Sequence, residues 1–234
     1  HHGVLFMDEL FEWSRSLLDS LREPLEEGVV RVARSQGTVT YPASVQLVAA
    51  ANPCPCGGGQ DCHCGDKAVW AHRGRLSGPL ADRLDLAPAV APLAAEDLLE
   101  AGTGESSAVV AARVAEARAL AADRWRALRR GAGGRGAVPP LPEGSGQPVR
   151  NADAPAAALR PVTHQAALRT LAGAVEAGEL TGRGYDRTLR VARTCADLEG
   201  SELVTRGHVL EAWASRLALR PPATTLPAWG SVRA

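Results

Sequence analysis

The stretch GVLFMDEL, residues 3–10, places four apolar side chains, Val4 to Met7, directly before two adjacent carboxylates, Asp8 and Glu9. A short continuous apolar run predicts a strand covered on both faces of a parallel sheet. Such sheets carry their ligands at the C-terminal edge of the strands, where the two carboxylates fall. In LFEWSRSLLDSLREPLEE, residues 10–27, Leu10, Trp13, Leu17, Leu18, Leu21 and Leu25 recur at helical spacing, and Gly28 supplies a stop. Residues 29–41 read as a hairpin with Gly37 near its turn, and Val45 to Ala51 as a second apolar strand ending at Asn52. Strand, helix, hairpin and strand together predict a nucleotide-type α/β sheet.

Residues 53–66 are rich in Cys, Pro and Gly, residues 67–83 read as helical, and Leu84 to Val90 as a last strand. From residue 94 no strand pattern recurs. A long Ala- and Arg-rich helix is expected over 105–130, then a Gly- and Pro-rich linker over 131–150. Three helices follow near 164–178, 182–199 and 205–219, with a frayed tail from 221. The organisation expected is a partial α/β core over 1–93 with a cysteine insertion at 53–66, a helix and linker over 94–150, and a helical domain over 151–220.

Lys plus Arg and Asp plus Glu balance at 26 each, so no global field steers the chain toward a polyanion, and any such contact has to be local. With 234 residues and 45% apolar content the chain can bury a core. No stretch approaches the ~18 to 20 uninterrupted apolar residues of a membrane span, and no signal peptide is recognisable, so a cytoplasmic protein without membrane contact is expected. The chain starts with His rather than Met, on what already reads as a buried strand, which predicts a continuation upstream.

Asp8 and Glu9 have a direct use in nucleoside triphosphate hydrolysis: the first can hold a Mg²⁺ shell and the second can polarise the attacking water. The plainer reading is that both favour the start of the following helix through its dipole. Asn52 ends a second strand in a polar amide suited to orienting a water or touching a γ-phosphate, although Asn-Pro also opens ordinary turns. In NPCPCGGGQDCHCGDK, residues 52–67, Cys54, Cys56, Cys62 and Cys64 form two C-x-C pairs that glycines can bend together around a tetrahedral Zn²⁺. Reduced or redox-active thiols are the alternative, and His63 and Cys195 are read as a bystander and a core residue. HRGRLSGPLADRLDL, residues 72–86, holds Arg83 between Asp82 and Asp85, which fits a surface ion pair or an arginine finger. Arg187, Arg190 and Arg193 recur at helical spacing in YDRTLRVARTCADLEG, residues 185–200, the pattern of a solvated face.

Taken in order, these segments resemble the magnesium-chelatase-like AAA+ ATPases of the ComM (YifB) type, over nearly the whole chain. GVLFMDEL looks like the Walker B strand, LVAAANPCPCG like the sensor 1 strand with its cysteine insertion, and RGRLSGPLADRLDL like the arginine-finger segment. The resemblance implies the C-terminal part of an AAA+ P-loop core followed by an all-α lid. It implies Asp8 on Mg²⁺, Glu9 as base, Asn52 as sensor 1, Arg83 reaching the ATP of a neighbouring subunit, and Arg190, or else Arg193, as sensor 2. The hairpin matches one that points into the pore of related rings, which makes Arg31 and Arg34 candidate DNA contacts. The implied parent is a homo-hexameric, ATP-driven DNA helicase or branch-migration factor of recombination or DNA uptake.

No G-x-x-x-x-G-K-[ST] loop occurs in the 234 residues, and Lys67 in GDKAVW cannot serve as its lysine. Without backbone N–H groups cradling the phosphates, these residues alone are expected to bind ATP poorly and to be inactive. Two other readings stay open: a magnesium-chelatase motor subunit, and a noncatalytic zinc-stapled interaction module in which the carboxylates only cap a helix.

Overall fold

A computed structural model describes residues 1–58, 62–91, 93, 104–131 and 150–216. They fall into two compact units, divided between Leu84 and Asp85.

In the first unit β1 (Val4–Met7) pairs in parallel with β4 (Gln46–Ala49), Val4 opposite Gln46 and Met7 opposite Ala49. The intervening chain forms α1 (Arg15–Ser20), α2 (Arg22–Glu27) and the antiparallel hairpin β2 (Val29–Arg34) and β3 (Gly37–Pro42). After β4 come α3 (Asp66–Arg73) and α4 (Gly78–Ala81). A small core of Met7, Leu10, Leu18 and Leu80 forms the centre of this unit, with Phe11, Leu21, Leu25, Leu47 and Leu76 packed around it. Each fully buried leucine contributes about 1.5 to 3 kcal/mol.

Several elements differ from the sequence pattern, each for a local reason. The helix expected over 10–27 is a 3-10 turn at Leu10–Glu12 followed by two short helices. Ser14 caps α1 by accepting from the Leu17 N–H, and Pro24 has no N–H to give Ser20, so the helix restarts at Arg22. Gly28, at φ +68°, ends α2 as expected. The helix over 67–83 breaks at Gly74 and resumes behind the Ser77 cap. β1 is not covered on both faces: Met7 is buried, but Val4 and Phe6 are 63% and 61% exposed. Its apolar run records a demand for cover that the two-stranded sheet does not meet.

The last strand expected over Leu84 to Val90 is absent; residues 85–91 are irregular. Pro88 cannot donate to a sheet ladder, and the segment belongs to the second unit instead, with Ala87 N–H on Ser215 O at 2.7 Å and Arg187 paired to Asp85 at 2.7 Å.

The second unit is helical: α5 (Ser107–Gly131), α6 (Ala156–Leu159), α7 (Gln165–Glu176), α8 (Gly182–Leu198) and α9 (Arg206–Ala214). Its core gathers Trp125, Leu159, Leu171, Leu189, Val204 and Val209. Thr181 caps α8 through the Gly184 N–H, and Thr205 with His208 forms a capping box on α9. The fold is thus a mixed α/β unit with a small parallel sheet, followed by an all-α unit, as the resemblance implied. The linker over 131–150 and the tail from 221 lie outside the described residues, apart from the linker's two end positions.

Candidate functional site at the tips of β1 and β4

Parallel pairing puts the ends of β1 and β4 side by side, and two backbone bonds fix the tips: Ala50 N–H to Met7 O at 3.0 Å and Leu10 N–H to Ala50 O at 2.8 Å. Between them the chain turns sharply. Glu9 adopts φ +49°, ψ +48°, a left-handed conformation that costs a residue with a Cβ about 1 to 2 kcal/mol. Glu9 donates its own N–H to Asp8 Oδ1 at 2.9 Å, and the Trp13 indole donates to Asp8 O at 3.1 Å. A cavity of about 170 Å³ opens at this edge, lined by Glu9, Phe11, Glu12, Asn52, Cys54, Pro55 and His72. Glu9 and Asn52, read from two separate strands, therefore share one cavity wall; Asp8 is exposed beside it.

Phe11, Glu12, Pro55 and His72 of this wall are not singled out by the sequence. His72, in the last turn of α3, is buried and its Nε2 lies 3.2 Å from Asn52 O. A carbonyl only accepts, so that nitrogen carries the proton in this contact. The imidazole packs T-shaped against Phe11, ring centroids 5.1 Å apart, and its Nδ1 lies 3.6 Å from Glu12. Arg75 reaches the same Glu12 carboxylate at 3.1 Å and donates to Phe11 O. The sequence signal was only a histidine at the end of the helix following the cysteine loop.

The four expected cysteines converge. Their Sγ atoms all lie within 4.8 Å of one another, with Cys54 to Cys56 at 3.3 Å, Cys54 to Cys62 at 3.4 Å and Cys56 to Cys62 at 3.5 Å. Tetrahedral zinc with Zn–S near 2.3 Å sets sulfurs about 3.8 Å apart, so a small expansion admits the ion. Gly58, at φ +84°, lets the loop fold back on itself, since a Cβ there would meet Pro53 Cγ at 2.7 Å. His63 is exposed and outside the cluster.

Hydrogen bonding separates the thiols. The Gly58 N–H, followed by the neighbouring cysteines, lowers Cys56 to about 7, while the Cys56 and Cys62 contacts push Cys54 up to about 12. Burial raises Cys195, half-buried in α8, to about 11. In metal-free chain at pH 7, Cys56 is therefore expected to react with iodoacetamide on the order of a hundredfold faster than Cys195, after allowing for the weaker nucleophilicity of the more acidic thiol. Peptide mapping of the alkylated sites over time checks this; equal rates would contradict the loop geometry.

The arginines are largely engaged. Arg83 is buried, ion-paired to Glu26, and donates to Pro79 O at 2.6 Å, so a role beyond its own unit requires leaving that pairing. Arg31 bridges Glu23 at 2.5 Å and Glu27 at 2.7 Å, and the two carboxylates raise its pKa. Arg34 is exposed at the hairpin end opposite Gly37. The solvated face expected for α8 is corrected at Arg193, which is fully buried and donates to Glu202 O, Ser201 O and Asp197. Arg190 is half-buried with its Nε on Ala154 O at 2.9 Å.

The family described as magnesium chelatase, subunit ChlI, matches residues 1–98, and its C-terminal family matches residues 104–216. An uncharacterised protein of Mycobacterium tuberculosis is 45% identical over 204 residues, 86% of this chain and 37% of its own length. YifB of Escherichia coli is 37% identical over 91% of this chain and 38% of its own length. The competence protein ComM of Haemophilus influenzae is 36% identical over 94% of this chain and 40% of its own. The chain belongs to the magnesium-chelatase-like family of the ComM (YifB) type.

It spans about two fifths of the length of the curated relatives it matches. The ChlI match contains both strand tips, the cysteine loop and His72, whereas the ChlI C-terminal match contains the buried network around Arg193. Among the described residues no helix is long and apolar enough to cross a membrane.

Proposed function

We propose that this chain supplies the hydrolysis side of an ATP-driven motor acting on DNA, in the cytoplasm and as part of a homo-hexameric ring. The observation that supports this most is the shared cavity wall of Glu9 and Asn52, at the ends of two neighbouring parallel strands. The name of ComM as a competence protein supports a role in DNA uptake or recombination.

In this reading Glu9 takes the proton of the attacking water, its carboxylate aimed by the left-handed turn, and the Asn52 amide orients that water. Asp8, exposed with one oxygen on the Glu9 N–H, suits a hard divalent cation, and Mg²⁺ held there would neutralise charge on the phosphates of ATP. The phosphate cradle has to come from residues outside these 234. Arg83 from a neighbouring subunit and Arg190 from the helical unit are the candidate phosphate contacts, and of the two candidate DNA contacts the exposed Arg34 is preferred to Arg31, which two carboxylates already hold. Zn²⁺ on Cys54, Cys56, Cys62 and Cys64 would staple the loop after β4.

The description of the matching family favours a second reading, a magnesium-chelatase motor subunit. The two separate by what stimulates turnover. A polypeptide carrying this chain together with a phosphate-binding loop is expected to hydrolyse ATP at least several-fold faster with single-stranded or branched DNA than without it. Stimulation by a porphyrin-metallating partner, with no response to DNA, would favour the chelatase reading instead.

A further inference from the structure

The cysteine loop begins at Asn52 and ends at α3, and α3 returns His72 to the Asn52 carbonyl, so the loop is closed at its base by a side-chain to backbone hydrogen bond. Cys54 lines the same cavity as Asn52 and His72. We infer that His72 is a positioning residue that locks the base of the cysteine loop, so that metal on the four thiolates and the placement of the Asn52 amide are energetically coupled. The inference rests on the reading of Asn52 and the cysteines above, and adds the element that joins them.

β4 ends at Ala49 and, among the described residues, the next regular element begins at Asp66, so Asn52 lies on the loop side of the last strand residue. The Asn52 side chain can hold a fixed place only if its own backbone is held. His72 supplies that hold from the far end of the loop, and its ring is packed T-shaped against Phe11, beside the Glu12 carboxylate that Arg75 holds. Inside the loop, Gly57 N–H bonds Cys54 O at 3.1 Å and Gly58 sits against Pro53. Four thiolates on one ion would convert this knuckle into a rigid bridge between Asn52 and α3. Coupling of this kind is reciprocal: whatever loosens the Asn52 carbonyl also loosens the metal, and removal of the metal loosens Asn52.

The test uses the 234-residue chain with zinc as probe and reads two quantities that need no ATP: release of zinc to a chromophoric chelator, and backbone hydrogen exchange over residues 52–58. His72→Phe keeps an aromatic ring against Phe11 but cannot donate; His72→Gln can donate but gives up the ring. A positioning role predicts that His72→Phe releases zinc about tenfold faster, the effect usual for groups that orient metal ligands, and exchanges faster over 52–58, while His72→Gln stays close to wild type. Stripping zinc from the wild type should speed exchange over the same residues. A role in packing alone predicts the opposite order, with Phe tolerated and Gln impaired, and that result overturns the inference. Wild-type chain that takes up no zinc overturns it too, but by removing the metal reading; unchanged release and exchange in a zinc-loaded His72→Phe chain removes only the clasp.

Discussion

Glu9→Gln, in a polypeptide carrying this chain and a phosphate-binding loop, is expected to keep ATP binding and lose hydrolysis by roughly 10² to 10⁴-fold, the usual contribution of a positioned general base. The amide matches the carboxylate in shape but cannot accept the proton of the attacking water. Glu9→Gly tests the same position from the side of stability. At φ +49° the present residue bears the strain of a Cβ in the left-handed region, about 1 to 2 kcal/mol, which glycine escapes while adding some entropy to the unfolded chain. The glycine chain should therefore melt no lower than the wild type, and higher by up to a few degrees, while being as inactive as the glutamine variant. If Glu9 only favoured the start of the following turn through its dipole, both variants would keep turnover near wild type, and the glutamine chain would lose up to about 1 kcal/mol of stability. Single-turnover hydrolysis beside thermal melts distinguishes these outcomes. Strain retained at a strand tip on the wall of a cavity is what a functional site leaves behind when local rules are broken.

The strand tips and the cysteine cluster were legible in the sequence because each is written locally. An apolar run ending in Asp-Glu or Asn gives the strand and its edge, and paired C-x-C motifs around glycines can close on one point. Gly28 and Gly37 marked a helix end and a turn where the structure has them. Where the reading went astray, the deciding partner was remote or missing. Residues 84–90 have the apolar content of a strand, but Pro88 and the bonds of Asp85 and Ala87 draw the segment into the helical unit. β1 promised cover on both faces and leaves Val4 and Phe6 open, because periodicity reports what a face needs and not who supplies it. His72 gave no signal, since its importance depends on a carbonyl twenty residues earlier. Arg193 read as part of a solvated helix face, but it pairs with Asp197 one turn on, and Arg124 and Asn151, distant in sequence, close on that carboxylate.

That closure carries the largest stability effect expected in the helical unit. Asp197 is 4% exposed and accepts from Arg124 at 2.5 and 2.6 Å, Arg193 at 2.9 Å and Asn151 Nδ2 at 2.7 Å; Asn151 in turn accepts from the Trp125 indole at 3.1 Å. Removing the carboxylate leaves two guanidinium groups facing each other in a site with little water to screen them. Burial already lowers the pKa of Arg193, and the Asp197 carboxylate opposes that shift. Asp197→Ala is expected to cost about 3 to 5 kcal/mol, the range for breaking a buried pair from one side, against the 5 to 15 kcal/mol that holds a typical domain. Urea melts followed by near-ultraviolet circular dichroism report it, because Trp125 belongs to the same network. Arg193→Met should also destabilise the helical unit, although less, since Arg124 still faces Asp197. The comparison decides between the two sensor 2 candidates. An arginine serving nucleotide would, on removal, impair turnover and leave the melt in place, and Arg193, bonded to Glu202, Asp197 and Ser201 inside its own unit, is expected to fail that criterion. Arg190, half-buried and held by one bond to Ala154 O, can be removed at about 1 kcal/mol, so a loss of turnover in Arg190→Ala without a matching loss of stability would assign the role to it.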